Sequence, residues 1–73
     1  GLRIYPNPAK EWLNIETGEP LSVKIYSVSG ICVFEQDING NVTVNTENLS
    51  PGVYTMFIKG ENNITGYRKI IVE

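Results

Sequence analysis

The sequence contains no histidine and only one cysteine, and each of these facts excludes certain catalytic sites, metal sites or covalent links. Without histidine the chain cannot build a Ser-His or Cys-His catalytic pair or a common zinc site. Cys32, as the single cysteine, cannot close a disulfide within the chain. Because Cys32 lies in the apolar run Ile31-Cys32-Val33-Phe34, we expect a small buried hydrophobic residue and not a reactive thiol. We expect no metal and no cofactor.

Basic residues are also few, with six lysines and arginines scattered among eight acidic residues. Nucleic-acid binding requires clustered positive charge that neutralises phosphates, so we expect no nucleic-acid partner. The acidic residues are spread along the chain as on a solvated surface, and they show no pairing that would suit acid-base catalysis. No stretch approaches the roughly 20 apolar residues of a membrane helix. The composition therefore predicts a domain that is not an enzyme and has no small-molecule substrate.

The 73 residues are 41% hydrophobic and 19% charged, which is typical of a folded domain. A domain of this size removes only about 60% of its unfolded surface from water, so its core must be small. The chain does not begin with Met, and Gly1 leads directly into a strand-like segment. We therefore expect residues 1–73 to be a single domain cut from a longer protein.

Apolar residues alternate with polar ones or form β-branched runs, and the 3.6-residue period of a helix is missing. Glycine and proline break this pattern into seven predicted strands, at residues 2–5, 12–16, 21–28, 31–37, 42–44, 53–59 and 64–72. Short strands at this spacing predict an all-β fold, a seven-stranded antiparallel immunoglobulin-like β-sandwich.

The alternation also predicts which side chains face the core. In the second strand these are Leu13 and Ile15, and in the third they are Leu21, Val23 and Ile25. Since residues 42–44 form a very short strand, we expect it at the edge of a sheet.

Two connections carry recognisable turn residues. Ser29-Gly30 predicts a two-residue hairpin, and Pro51-Gly52 suits the two central positions of a type II turn. Between them, residues 45–49 predict a loop or one 3₁₀ turn that directs Leu49 into the core.

The last strand allows two interpretations, because Ile70-Ile71-Val72 is apolar on both of its faces. In the first, the strand lies centrally in its sheet with both faces covered. In the second, it is an edge or detachable strand that presents backbone and side chains to a partner. The sequence leaves both open.

Four motifs follow one another along the chain: Tyr5-Pro6-Asn7-Pro8 before Leu13-Asn14-Ile15, the segment from Val23 to Gly30, Leu49-Ser50-Pro51-Gly52-Val53-Tyr54, and Lys69-Ile70-Ile71-Val72. This ordered set spans the chain and resembles the type A C-terminal sorting domains of proteins exported by the type IX secretion system of Bacteroidetes-type bacteria.

The resemblance implies a C-terminal secretion signal that directs a cargo protein across the outer membrane. Its partners would be the N-terminal cargo domain, the outer-membrane type IX export machinery and a sortase-like surface peptidase that cleaves near or before Gly1. The domain would pass through the periplasm and reach the cell surface or the medium. The matching motifs place partner recognition at Gly52, Tyr54, Lys69, Ile70, Ile71 and Val72.

One alternative is an immunoglobulin-like accessory or carbohydrate-binding module of a multidomain secreted enzyme. Such a module usually needs exposed aromatic rings, for which the candidates are Trp12, Tyr26 and Tyr67.

Overall fold

In the computed structural model the chain forms two antiparallel sheets that enclose one core, and the structure describes residues 1–61 and 65–73. The strands are β1 Leu2–Tyr5, β2 Trp12–Thr17, β3 Leu21–Ser27, β4 Cys32–Ile38, β5 Asn41–Asn45, β6 Gly52–Gly60 and β7 Thr65–Val72. The predicted all-β sandwich of seven antiparallel strands is confirmed. Residues 62–64, which include the predicted start of the last strand and part of the turn before it, lie outside the described residues. Over the described ranges no helix has the length and apolar character needed to cross a membrane.

The strands divide into a three-stranded sheet of order β1-β2-β5 and a four-stranded sheet of order β4-β3-β6-β7. The short strand β5 lies at an edge, as predicted. The last strand, β7, also lies at an edge, so the interpretation that places it centrally is wrong. The apolar residues of β7 nevertheless lie on both of its faces. Ile70 and Val72 face the core, while Ile71 faces outward and is 36% exposed.

The core lies between the two sheets and is built by alternating inward residues. The five predicted inward residues of β2 and β3 are all buried. The core also includes Met56 and Ile58 of β6 and Ile70 and Val72 of β7. Leu49 packs against this cluster and is partly buried, in agreement with the predicted turn. Each sheet supplies one face of the core, so neither can bury its apolar side alone.

The hairpin between β3 and β4 is longer than predicted, because four residues, Val28 to Ile31, connect the strands. The Ser27 N–H donates to the Ile31 carbonyl at 2.9 Å, and the Gly30 N–H donates to the Ser27 carbonyl at 3.0 Å. A register shift between Ile25 and Tyr26 accompanies this wider turn. The prediction of a two-residue turn at Ser29-Gly30 is therefore wrong.

The same register corrects the expectation for Cys32, which is exposed and not buried. Cys32 pairs with Tyr26, the residue after the inward-facing Ile25, and so lies on the outer face of the four-stranded sheet. The apolar neighbours of Cys32 in the sequence suggested burial, but the register decides which face it takes.

Replacing Leu13 by Ala should lower the free energy of unfolding by about 2–5 kcal/mol, because the side chain is fully buried between the sheets. The matched control is Val28→Ala, at a side chain that is 87% exposed, for which we expect a change within about 0.5 kcal/mol. Urea unfolding of both variants measures the difference. Equal losses in the two would contradict this assignment of the core.

Candidate functional site

The structure brings all six predicted partner-recognition residues together at one corner of the four-stranded sheet. We call this the C-terminal corner, formed by residues 52–54 of β6 and 69–72 of β7. In the antiparallel register Gly52 pairs with Val72, and Tyr54 pairs with Ile70. Two motifs that lie far apart in the sequence therefore become neighbours through one strand pairing.

The six predicted recognition residues within the corner differ in how accessible they are. Gly52, Lys69 and Ile71 are exposed. Tyr54, Ile70 and Val72 are buried, with exposed fractions of 6%, 2% and 3%. Only the first three can contact a partner while the domain stays folded, and the other three support the corner from the core.

Tyr54 ties the preceding loop to the core. Its ring is buried, and its hydroxyl donates to the Ser50 carbonyl at 2.6 Å. This hydrogen bond resembles the tyrosine corner of immunoglobulin-like sandwiches, in which a tyrosine hydroxyl bonds to the backbone a few residues upstream. The bond fixes the Ser50-Pro51 loop relative to β6.

Gly52 begins β6 with a φ of +153°, a conformation that L side chains rarely adopt. A type II turn requires a φ of about +80° at this position, so the predicted type II turn is wrong. The chain instead passes from Pro51 directly into the strand, where Gly52 pairs with Val72. Glycine therefore suits position 52 because the first residue of β6 has a positive φ, and not because of a type II turn.

The outer edge of β7 is covered by a segment that we call the clasp, residues Pro6–Ala9. The Ala9 N–H donates to the Ile71 carbonyl at 2.7 Å, and the Glu73 N–H donates to the Ala9 carbonyl at 2.8 Å. The Asn7 side-chain amide donates to the Lys69 carbonyl at 2.9 Å and accepts from the Ile71 N–H at 3.0 Å. The backbone edge from Lys69 to Glu73 is thus already occupied.

Both ends of the clasp are held by residues in the three-stranded sheet or next to it. Before it, the Tyr5 hydroxyl donates to the Glu16 carboxylate, and this hydrogen bond raises the pKa of Tyr5. After it, the buried Thr46 donates its N–H to the Glu11 carbonyl at 2.9 Å and its hydroxyl to the Lys10 carbonyl at 3.3 Å. The clasp therefore connects the edge of one sheet to the other sheet.

Beside the C-terminal corner lies an apolar surface that sequence reasoning missed. Val28 and Ile31, in the β3–β4 hairpin loop, are 87% and 63% exposed, and with Val53 they line an open depression of about 350 Å³. Among the described residues that line it, none is charged. Val53 pairs with Ile71, so the apolar surface continues onto the corner. The sequence pattern that could have indicated this surface is one β-branched residue on each side of Ser29-Gly30. The prediction of a two-residue turn had assigned both of these residues to strands.

The three aromatic candidates for carbohydrate binding do not form one platform. Trp12 belongs to the three-stranded sheet, whereas Tyr26 and Tyr67 belong to the four-stranded sheet. The exposed Tyr67 packs against Phe57 of its own sheet, with ring centroids 5.0 Å apart. This arrangement does not favour the carbohydrate-binding alternative.

The described residues also contain no cluster of three or more Cys, Asp or Glu side chains that could hold a metal ion. The C-terminal corner itself consists of backbone, aliphatic side chains, one tyrosine and one lysine.

Comparison with known proteins gives three consistent findings. A family model described as the secretion system C-terminal sorting domain matches residues 3–73. An endo-acting ulvan lyase of Formosa agariphila is 31% identical over an alignment that covers 99% of this chain but only 15% of the lyase. A DUF3244 family protein of Bacteroides vulgatus, whose crystal structure is described as an immunoglobulin-like β-sandwich, superposes with a TM-score of 0.73. That superposition covers 93% of this chain and 81% of the other at 19% identity, and it confirms the predicted immunoglobulin-like fold.

Replacing Gly52 by Ala should destabilise the domain by about 1–3 kcal/mol, because a φ of +153° strains a residue with a Cβ. Steric overlap is not the cause, since no described atom lies within 4 Å of the Cβ position. The control is Gly18→Ala, where space is equally open and φ lies outside this region. Thermal unfolding compares the two variants. A Gly52→Ala variant as stable as the control would contradict the strained conformation.

Proposed function

The chain belongs to the family of secretion system C-terminal sorting domains, and on this premise we propose that it directs its cargo protein across the outer membrane by the type IX secretion system. The observation that carries the proposal is the family match over residues 3–73, nearly the whole chain. The ulvan lyase match supports it, because a module that corresponds to 15% of a much larger protein suits a signal attached to cargo. The domain itself performs no catalysis in this proposal.

We propose that the export machinery docks on the C-terminal corner and on the apolar surface beside it. Lys69, Ile71 and Gly52 would contact the machinery directly, while Tyr54, Ile70 and Val72 would hold these residues in place from the core. Val28, Ile31 and Val53 would extend the contact. Exposed apolar side chains grouped at one end of a small domain are typical of a surface that another macromolecule covers.

The chain ends lie at opposite ends of the sandwich. Gly1 lines a depression together with Thr17, Leu21 and Gly60, at the far end of the strands from Gly52 and Val72. A cargo joined before Gly1 would therefore leave the C-terminal corner accessible. In the same proposal the domain crosses the periplasm with its cargo, reaches the cell surface or the medium, and is removed there by a sortase-like peptidase that cleaves near or before Gly1.

A reporter with an ordinary export signal at its N-terminus and residues 1–73 at its C-terminus should reach the medium or the surface of a type IX-competent host. Fractionation and immunoblotting measure where the reporter accumulates. The same reporter without residues 1–73 is the control and should stay in the periplasm. Retention of the fused reporter in the periplasm would overturn the proposed function.

Within that fusion, Lys69→Glu should reduce export about tenfold, because reversing an exposed charge at a docking surface costs on the order of 1.4 kcal/mol of binding free energy. The matched control is Lys59→Glu, which makes the same charge change at an exposed residue of β6 near the opposite end of the sheet. We expect near wild-type export from the control. Equal export of the two variants would show that Lys69 is not part of the docking surface.

A further inference from the structure

We propose that Asn7 is a positioning residue for the docking surface, because its side-chain amide takes the place of a missing β-strand residue along β7. The proposal deepens the proposed function and rests on it. It assigns the clasp a role in partner recognition without placing Asn7 in contact with the partner.

The hydrogen bonds of the clasp follow the pattern of a parallel β-ladder. In such a ladder one residue donates its N–H to the residue before its partner and accepts from the residue after it. Ala9 does this around Val72, with bonds to the Ile71 carbonyl and the Glu73 N–H. The Asn7 side chain repeats the pattern around Ile70, with bonds to the Lys69 carbonyl and the Ile71 N–H. Residue 7 thus bridges to residue 70 and residue 9 bridges to residue 72, with the same register at both positions.

The side chain performs this role, since no backbone hydrogen bond among the described residues joins Asn7 to β7. Pro6 and Pro8, on either side of it, have no N–H to donate. A carboxamide carries both a donor and an acceptor at nearly the spacing of a peptide group, whereas a carboxylate only accepts and an aliphatic chain does neither. Asparagine between two prolines therefore continues the ladder without using its own backbone.

The two backbone groups that Asn7 binds belong to the exposed residues of the C-terminal corner. It fixes the carbonyl of Lys69 and the N–H of Ile71, and both side chains point toward the proposed docking surface. Without Asn7 the backbone edge of β7 would lose its partner at these residues, and edge strands without a partner fray or pair elsewhere. Loss of the amide should therefore disorder the residues that the export machinery contacts.

The first test follows hydrogen exchange of residues 1–73 by NMR in Asn7→Leu and in the control Asn39→Leu, at an exposed residue near the opposite end of the sandwich. In Asn7→Leu the Ile71 amide should exchange about tenfold faster, which corresponds to the loss of one hydrogen bond. The Val23 amide, in the central strand β3, should change less. Unchanged exchange at Ile71 would overturn the ladder role of Asn7.

The second test uses Asn7→Asp, which keeps the acceptor and loses the donor at neutral pH. The introduced carboxylate would face the Lys69 carbonyl, so the folded state should disfavour its charged form and raise its pKa above the unfolded value of about 3.9. The variant should then match wild type below about pH 4, where the protonated carboxyl donates, and lose stability relative to wild type as the pH rises. A deficit that is independent of pH would count against the donor role.

The third test measures export of the reporter fusion and separates positioning from general instability. Asn7→Leu should export about tenfold less than wild type, as expected if one lost hydrogen bond of about 1.4 kcal/mol weakens docking. Ile38→Val, a substitution in the core for which we expect a comparable loss of global stability, should export normally. Full export of Asn7→Leu would overturn the positioning role while leaving the proposed function intact. Retention of the wild-type fusion would overturn the proposed function, and the docking role of Asn7 with it.

Discussion

The C-terminal corner depends on one constraint, which is that the outer backbone edge of β7 must find hydrogen-bond partners. An edge strand that carries apolar residues is prone to pair with other strands, and small β-sandwiches must prevent this. Here the clasp meets the need with two hydrogen bonds from Asn7 and two from Ala9. Because the clasp joins β1 to β2 of the other sheet, the same bonds hold the two sheets together at this end.

The shape of the C-terminal corner is set by its buried residues. The buried half of the corner fixes the exposed half: Tyr54 holds the loop before Gly52 through the Ser50 carbonyl, and Ile70 and Val72 anchor the strand that presents Lys69 and Ile71. Substitution of a buried residue in either motif would therefore change how the exposed residues of the corner are presented.

Several features of the fold could be predicted from residue patterns, and the failures have a common physical cause. Alternation identified Leu13, Ile15 and the inward face of β3, since burial of one face imposes a period of two. The same reasoning failed around Ser29-Gly30, where a register shift lengthens the hairpin and turns Cys32 outward. Local composition does not report a register shift, because the shift is set by how two strands pair.

The sequence by itself determined the all-β fold, the inward faces of the central strands and the motifs that mark the predicted recognition residues, because these depend on local preferences and short-range alternation. Only the tertiary structure decided that β7 lies at an edge and that Asn7 completes its ladder from more than 60 positions away. It also decided that Val28 and Ile31 join the corner as an exposed apolar surface. These features depend on contacts between distant segments, which a linear pattern does not encode.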